Sequence, residues 1–128
     1  MAVISKSKVE ENYTNPENGY AVYQWLAVTE NDTCEAVMEP TFSEVTMKAW
    51  GTFGTGGEGH IQGTLHFPSE TETWLDLNDL QGSAIALTAA GITLRLENTV
   101  QVRPHVGAGT SVSMNFRLMF SGPRRGRQ

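Results

Sequence analysis

The sequence predicts an all-β fold, a single antiparallel β-sandwich of the jelly-roll or immunoglobulin-like type. Several segments alternate apolar and polar residues with a period of two, which is typical of strands with one buried face. Short apolar runs recur at roughly ten-residue spacing with glycine-rich joints, as in sandwiches and barrels. No segment carries a sustained helical apolar stripe. The chain has 128 residues and fits one domain, for which roughly 100–150 residues are usual.

The chain begins with a polar segment that predicts an extended N-terminal arm over residues 1–19. The arm ends in the cluster Asn15-Pro16-Glu17-Asn18-Gly19, whose residues favour a turn. The next run, residues 20–28, is rich in aromatic and β-branched side chains. That composition predicts the first strand of the sandwich.

Strict alternation predicts three further strands. Residues 44–49 and 61–67 place apolar side chains at every second position, which predicts a core-facing position for Leu65 and Phe67. The clearest run is 111–120, in which five apolar side chains point to one face: Val112, Met114, Phe116, Leu118 and Phe120.

The remaining strands are short and separated by turn-forming residues. They complete a sandwich domain over residues 20–120, and a basic C-terminal tail follows over residues 121–128. The short runs lie at residues 74–77, 84–87, 92–96 and 100–103, with Pro104 after the last.

Charge is unevenly distributed along the chain. Nine basic and 14 acidic residues give a net charge of −5, and three of the basic residues, Arg124, Arg125 and Arg127, lie in the tail. Residues 1–123 therefore hold six basic against 14 acidic residues, a balance of −8. Such an acidic body repels phosphate, so we expect no nucleic-acid partner. The tail is interpreted either as a solubilising terminus or as a basic clip on an acidic neighbouring subunit.

Neither a membrane span nor a secretory signal is expected. A span needs a run of about 18 apolar residues, and no such run occurs. The N-terminus also lacks the continuous apolar stretch of a signal peptide. We therefore expect no membrane partner and folding in the cytosol.

The segment Gly54-Thr55-Gly56-Gly57-Glu58-Gly59 matches the G-x-G-x-x-G dinucleotide pattern. That pattern binds pyrophosphate where a helix begins inside it, whereas the residues that follow alternate like a strand. We interpret the segment as a hairpin loop in which glycine supplies unusual backbone angles. No cofactor is predicted.

The histidines and acidic residues do not predict catalysis or metal binding. His60 and His66 stand roughly 20 Å apart on one predicted strand, too far to share one ion, and no zinc-ligand spacing accompanies Cys34. His105 is predicted to be a surface or interface residue. There is no nucleophile elbow, so we expect no catalytic residue, no metal and no enzyme. A solvated loop, rather than a glycosidase carboxylate pair, is the interpretation of Glu70, Glu72, Asp76 and Asp79.

Aromatic residues supply the candidate binding surface. Trp25, Trp50 and Trp74 are predicted to plug the core or the space between sheets, with a sugar-stacking platform as the alternative. Tyrosine is enriched where one end of its ring is apolar and the other is wet, so the tyrosines near the arm predict an interface. The candidate interface residues are Tyr13, Tyr20, Tyr23, Arg124, Arg125 and Arg127.

A set of glycine, tryptophan and turn positions covers most of residues 45–120. The set comprises residues 50–57, 61–65, Trp74, Leu77, Asp79, Gly82, 87–92, Glu97 and 102–112. It resembles a family of small tailed-bacteriophage virion proteins of the head decoration or cement type. The family commonly has a Gly-Ser-x-Asp-Gly turn before the tryptophan, which residues 63–70 do not reproduce.

The resemblance implies a protein that binds the outer surface of the major capsid shell across subunit junctions and stabilises it. Its partners would be the major capsid protein and further copies of itself in a homotrimer, on a virion assembled in the host cytoplasm. Two alternatives remain open. One is a head-to-tail connector or tail protein, present in far fewer copies, and the other is a virion-surface carbohydrate-binding module that uses Trp50 or Trp74.

Overall fold

The computed structural model describes residues 2–12, 19–38 and 42–124, and these residues contain strands but no helix. The predicted all-β class is therefore confirmed. In chain order the strands are β1 (Val3–Ile4), β2 (Ser7–Asn12), β3 (Tyr20–Val28), β4 (Thr33–Cys34), β5 (Phe42–Thr52), β6 (Gly59–Thr64), β7 (Leu75–Asp76), β8 (Gly91–Leu94), β9 (Gln101–Val106) and β10 (Ser113–Arg124).

The largest sheet has five antiparallel strands in the order β2-β3-β10-β5-β8. β10 lies at its centre, where it pairs with β5 from Ser113 to Arg124 and with β3 from Met114 to Phe120. β2 and β8 are the two edges of this sheet. The longest alternating run of the sequence therefore becomes the strand with the most extensive pairing.

A second sheet has three antiparallel strands in the order β7-β6-β9, and β1 pairs with β4 in parallel. β6 pairs with β9 along its whole length. β9 continues through Pro104, which lies opposite Ile61, although the sequence predicted that the strand ends before this proline. Proline is tolerated because β9 is an edge strand of this sheet, where no ladder partner needs the missing N–H group.

The apolar residues of both larger sheets belong to one hydrophobic cluster. From Val112 to Phe120 every second side chain is buried, as the alternation predicts. Trp25 is fully buried, and its indole Nε1 donates a hydrogen bond to the Glu35 carbonyl oxygen over 3.0 Å. The largest fully buried side chains are Trp25, Phe116, Phe120, Met47, Ile61, Met114 and Leu118.

The predicted strand over residues 61–67 is wrong beyond Thr64. β6 ends there, and Leu65 and Phe67 are 70% and 53% exposed instead of facing the core. The Thr64 hydroxyl accepts a hydrogen bond from the His66 backbone N–H over 3.1 Å, a local bond that competes with the sheet ladder. Likewise, the run at 84–87 forms isolated bridges rather than a strand.

Part of the predicted N-terminal arm is a strand of the five-stranded sheet. Residues 7–12 form β2, which pairs with β3 and is exposed at all six positions. Because β2 buries no face, its sequence lacks the alternation that identifies the other strands. Its charged residues are typical of an edge strand, since charge discourages pairing with another chain. Residues 13–18 lie outside the described residues.

The predicted tail over residues 121–128 begins within a strand. β10 continues to Arg124, so residues 121–124 belong to the five-stranded sheet. Residues 125–128 lie outside the described residues. The boundary between sheet and tail therefore falls later than the composition suggested, because the pairing with β5 resumes at Arg124 after an irregularity at Gly122 and Pro123.

The glycine-rich segment is not a hairpin loop. It joins β5 of the five-stranded sheet to β6 of the three-stranded sheet and so carries the chain from one sheet to the other. Its glycines do supply unusual angles, with φ of +60° at Gly54 and +72° at Gly56. A Cβ atom at Gly54 would also collide with the Thr110 carbonyl oxygen, so this crossover packs directly against the loop before β10.

Truncation of Phe116 tests the central position of β10. Phe116→Ala removes a fully buried ring and is expected to lower the free energy of unfolding by about 3–5 kcal/mol. Met119→Ala, on the same strand but at a partly exposed position, is the control and is expected to cost less than about 1 kcal/mol. Urea unfolding followed by tryptophan fluorescence measures both. Equal losses would contradict the assignment of the core to one face of β10.

Candidate functional site

Tyr23, which the sequence predicts at an interface, is a core residue in the structure. It is 7% exposed, and its ring meets Phe120 edge-on with the centroids 6.0 Å apart. Lys8 Nζ, from edge strand β2, lies 5.8 Å from the Tyr23 ring centroid. The alternation of β3 contained the missed signal, because Tyr23 shares its parity with the buried residues Ala21 and Trp25.

Tyr20 and Arg124 lie at the same end of the five-stranded sheet, since β3 begins where the neighbouring antiparallel strand β10 ends. The half-buried Tyr20 donates a hydrogen bond from its hydroxyl to Glu10 Oε2 over 3.1 Å. This bond raises the pKa of Tyr20, because the carboxylate favours the protonated hydroxyl. The other predicted interface residues, Tyr13, Arg125 and Arg127, lie outside the described residues.

One side of the described molecule is rich in exposed aliphatic residues. The edge strands β7 and β8 lie there, and a hydrogen bond from the Leu96 N–H to the Asn78 carbonyl oxygen, 2.8 Å, connects the segments that follow them. Four large side chains of this region are 48–70% exposed, and we call them the apolar side: Leu65, Leu75, Leu80 and Leu96.

A cavity of about 550 Å³ opens on the apolar side, between the end of β6, β7 and residues 97–99. Leu65, Leu75 and Glu97 are among its lining residues. Glu97 accepts hydrogen bonds from the Asn78 backbone N–H over 2.9 Å and from its side-chain amide over 2.6 Å. The hydrogen bond from the Asn78 backbone N–H is the main reason that the pKa of Glu97 is lowered. Ligand pockets span roughly 300–1,000 Å³, so the cavity is large enough to receive side chains of a partner.

The outer face of the three-stranded sheet brings together polar residues that are distant in the sequence. His60 and His105 lie opposite each other on β6 and β9, with ring centroids 6.4 Å apart. His60 Nε2 lies 3.1 Å from Glu58 Oε1, and the buried Nδ1 lies 3.8 Å from Asp76 Oδ2 without a hydrogen bond. Sequence reasoning considered His66 as the partner of His60, because local spacing gives no signal for a cross-strand neighbour.

His105 is half-buried within β9 and does not lie in a surface loop. Burial lowers the pKa of His105, and the positive charge of Arg103 lowers it further. Within residues 2–12, 19–38 and 42–124, no three histidine, cysteine or acidic side chains are placed to hold a metal ion. His60 and His105 are therefore cross-strand neighbours on the outer face of the three-stranded sheet.

Trp74 is half-buried and is not a core plug, and the same holds for Trp50. The guanidinium carbon of Arg103 lies 4.1 Å from the Trp74 ring centroid. Arg103 Nε donates a hydrogen bond to Gln62 Oε1 over 3.1 Å, and Gln62 donates in turn to Asp76 over 3.2 Å. One face of Trp74 is therefore covered by a held cation, and a sugar ring could not stack on that face.

Two acidic residues of the predicted solvated loop have local structural roles. Asp79 Oδ1 accepts hydrogen bonds from the N–H groups of Gln81 and Ser83 over 2.9 Å and 3.0 Å. Glu70 accepts one from the Phe67 N–H over 2.8 Å. These carboxylates build turns, and Asp79 thereby positions Leu80 on the apolar side.

Cys34 tests the close packing of the core. Burial raises the pKa of Cys34 to about 12, so almost no thiolate is present at neutral pH. We expect the native protein to react with a disulfide reagent such as DTNB at least tenfold more slowly than the urea-unfolded chain, measured by absorbance. Equal rates in the two states would contradict the closed core around β4.

His105 is expected to make stability depend on pH between 7.5 and 5.5. Its folded pKa lies below the unfolded value of about 6.5, so the unfolded chain binds the proton first and stability falls as pH drops through that value. In urea unfolding, the free energy of unfolding should fall less over this pH range for His105→Asn than for the parent protein. His66→Asn, at a half-buried position just beyond the end of β6, is the control. An unchanged pH profile for His105→Asn would contradict the prediction.

No protein-family model matches this chain, and no curated protein matches it either. Within the described residues, no helix is long and apolar enough to cross a membrane.

Proposed function

We propose that this chain is a bacteriophage capsid decoration (cement) protein that binds the outer surface of the major capsid shell and stabilises it. The apolar side is the observation that carries the proposal, because larger exposed apolar patches on folded proteins mark interaction sites. The resemblance over residues 45–120 supports the same class. Both favour a protein that buries its apolar side against another subunit.

In this proposal the five-stranded and three-stranded sheets are the two layers of one β-sandwich around their shared hydrophobic cluster. A preorganised body of this kind loses little further conformational entropy when it binds. The two edges of the five-stranded sheet differ in charge. The edge strand β2 carries charges that discourage further pairing, whereas β8 has the uncharged sequence Gly-Ile-Thr-Leu next to the apolar side.

Stabilisation of a shell requires only that the protein binds the assembled state better than its dissociated parts. The binding free energy then adds to the stability of the assembled shell. Contacts to several subunits at once raise the effective concentration of each binding site for the next. A homotrimer at a junction of capsid subunits agrees with the general preference for symmetric assemblies. The virion surface is then the place of function, and assembly takes place in the host cytoplasm.

Substitution on the apolar side tests the proposal directly. Leu75→Glu places a charge on the side that would be buried, and we expect at least a tenfold loss of occupancy on shells built from the major capsid protein of the same phage. Val3→Glu, at an equally exposed apolar position in β1, is the matched control and should keep full occupancy. Occupancy is measured by quantitative mass spectrometry of purified particles.

The same measurement separates decoration from the connector alternative. Hundreds of copies per particle would support decoration, whereas about a dozen would favour a head-to-tail connector or tail protein. If Leu75→Glu keeps full occupancy, the apolar side is not part of the interface with the shell.

The basic tail needs a separate variant. Because residues 121–124 belong to β10, deletion of residues 125–128 removes two arginines and spares the sheet. We expect this deletion to weaken occupancy more at low than at high salt, since screening already reduces charge attraction at high salt. Occupancy that is unchanged at both salt concentrations would assign the tail a solubilising role only.

A further inference from the structure

Residues 1–123 carry few exposed cations, and two of these cations lie side by side. Residues 1–123 hold six basic residues. Lys6 and Lys8 form ion pairs with carboxylates at 3.1 Å and 2.9 Å, whereas Arg95 is buried and Arg103 is held half-buried. The other two, Lys48 and Arg117, are exposed, and within the described part of the chain neither contacts a carboxylate.

Lys48 on β5 lies directly opposite Arg117 on β10. Residues that are directly opposite share a face of the sheet, and both alternate with buried residues, so the two cations stand together on the outer face of the five-stranded sheet. Like charges in this arrangement destabilise a sheet, whereas an opposite charge would stabilise it. The two cations therefore impose a local cost on the inner strands of the five-stranded sheet.

The contacts of the two cations orient them without neutralising them. Arg117 Nε donates a hydrogen bond to the neutral Gln24 Oε1 over 3.1 Å. Lys48 Nζ lies 5.4 Å from the centroid of the Trp50 ring. A partner carboxylate could thus reach two positioned cations, of which the guanidinium binds carboxylates in a bidentate geometry.

Acidic residues of the same face lie too far away to compensate. Glu44 stands four residues from Lys48 along β5, roughly 13 Å at the rise of a strand, which exceeds the Debye length of about 8 Å at physiological salt. Glu10 lies on edge strand β2, where it accepts the hydrogen bond of Tyr20. The positive centre is therefore local, within a body whose balance is −8.

We propose that the surface around Lys48 and Arg117 binds a carboxylate-bearing segment of a different protein. Complementary charge supplies specificity and orientation, because an acidic partner is repelled by most of this acidic body and attracted at this positive centre. Exposed Met119 and Ile92 lie on neighbouring positions of the same face and provide apolar contact around the charges. The inference rests on the proposed function only for the identity of the partner, which would be the capsid subunit.

A peptide titration tests the chemistry without a capsid. The full chain, labelled with ¹⁵N, is titrated with a short extended peptide that carries glutamate at alternate positions, and with the same peptide carrying glutamine instead. We expect shifts at the Lys48 and Arg117 amides and at the Trp50 indole N–H for the glutamate peptide alone, and affinity that falls with salt.

Charge reversal gives the matched comparison. Lys48→Glu and Arg117→Glu should each weaken peptide binding roughly tenfold. Lys8→Glu changes the net charge by the same amount but removes a cation that already contacts Glu11, so it should keep the parent affinity within about twofold. Equal losses in all three variants would show a general effect of net charge and overturn the proposal, as would absence of shifts at this face.

Four further outcomes test the partner and its relation to the proposed function. Tighter binding of a single-stranded oligonucleotide than of the glutamate peptide would overturn the carboxylate partner, and so would pairing of two copies of this chain through the same face. If Lys48→Glu and Arg117→Glu keep full occupancy on shells of the major capsid protein, the proposed binding surface is wrong, but the decoration function is not contradicted. Peptide binding by a protein that does not occupy shells at all would instead contradict the decoration function.

Discussion

The apolar face of β10 is the constraint on which the rest of the fold depends. This strand pairs with β3 and with β5, and the side chains on its buried face lie in the cluster that also includes the core residues of the three-stranded sheet. Because strand side chains alternate, burial of one face commits the other face to the outside. The register that buries Phe116 and Leu118 is therefore the same register that exposes Arg117 and places it opposite Lys48.

The two edges of the five-stranded sheet solve the problem of unpaired backbone groups differently. β2 is fully exposed and charged, which protects it from further pairing. β8 is short and uncharged and lies beside the apolar side, where the bond between Leu96 and Asn78 connects the edges of the two sheets. The β8 edge therefore leaves backbone groups unpaired beside exposed aliphatic side chains, without the charges that protect β2.

Two physically different surfaces thus remain open on one acidic body. The apolar side offers area and a cavity, which contribute affinity, and the face with Lys48 and Arg117 offers a local positive charge, which contributes orientation. Of the tyrosines that the sequence predicts at an interface, the two that the structure describes contact residues of their own sheet. Tyr23 belongs to the core and Tyr20 binds Glu10 within the sheet, because in this chain aromatic residues near the N-terminus are used to attach β2.

The sequence by itself determined the all-β class, the span of β3 and the core face of β10, since these follow from period-two burial that is local in the chain. It missed β2, whose residues bury no face, and it extended β6 to Leu65 and Phe67, where apolar alternation continues after the backbone has left the sheet. The pairs His60 with His105 and Lys48 with Arg117 were decided only by the tertiary structure. Their members are distant in sequence, and strand register alone sets which side chains lie opposite each other.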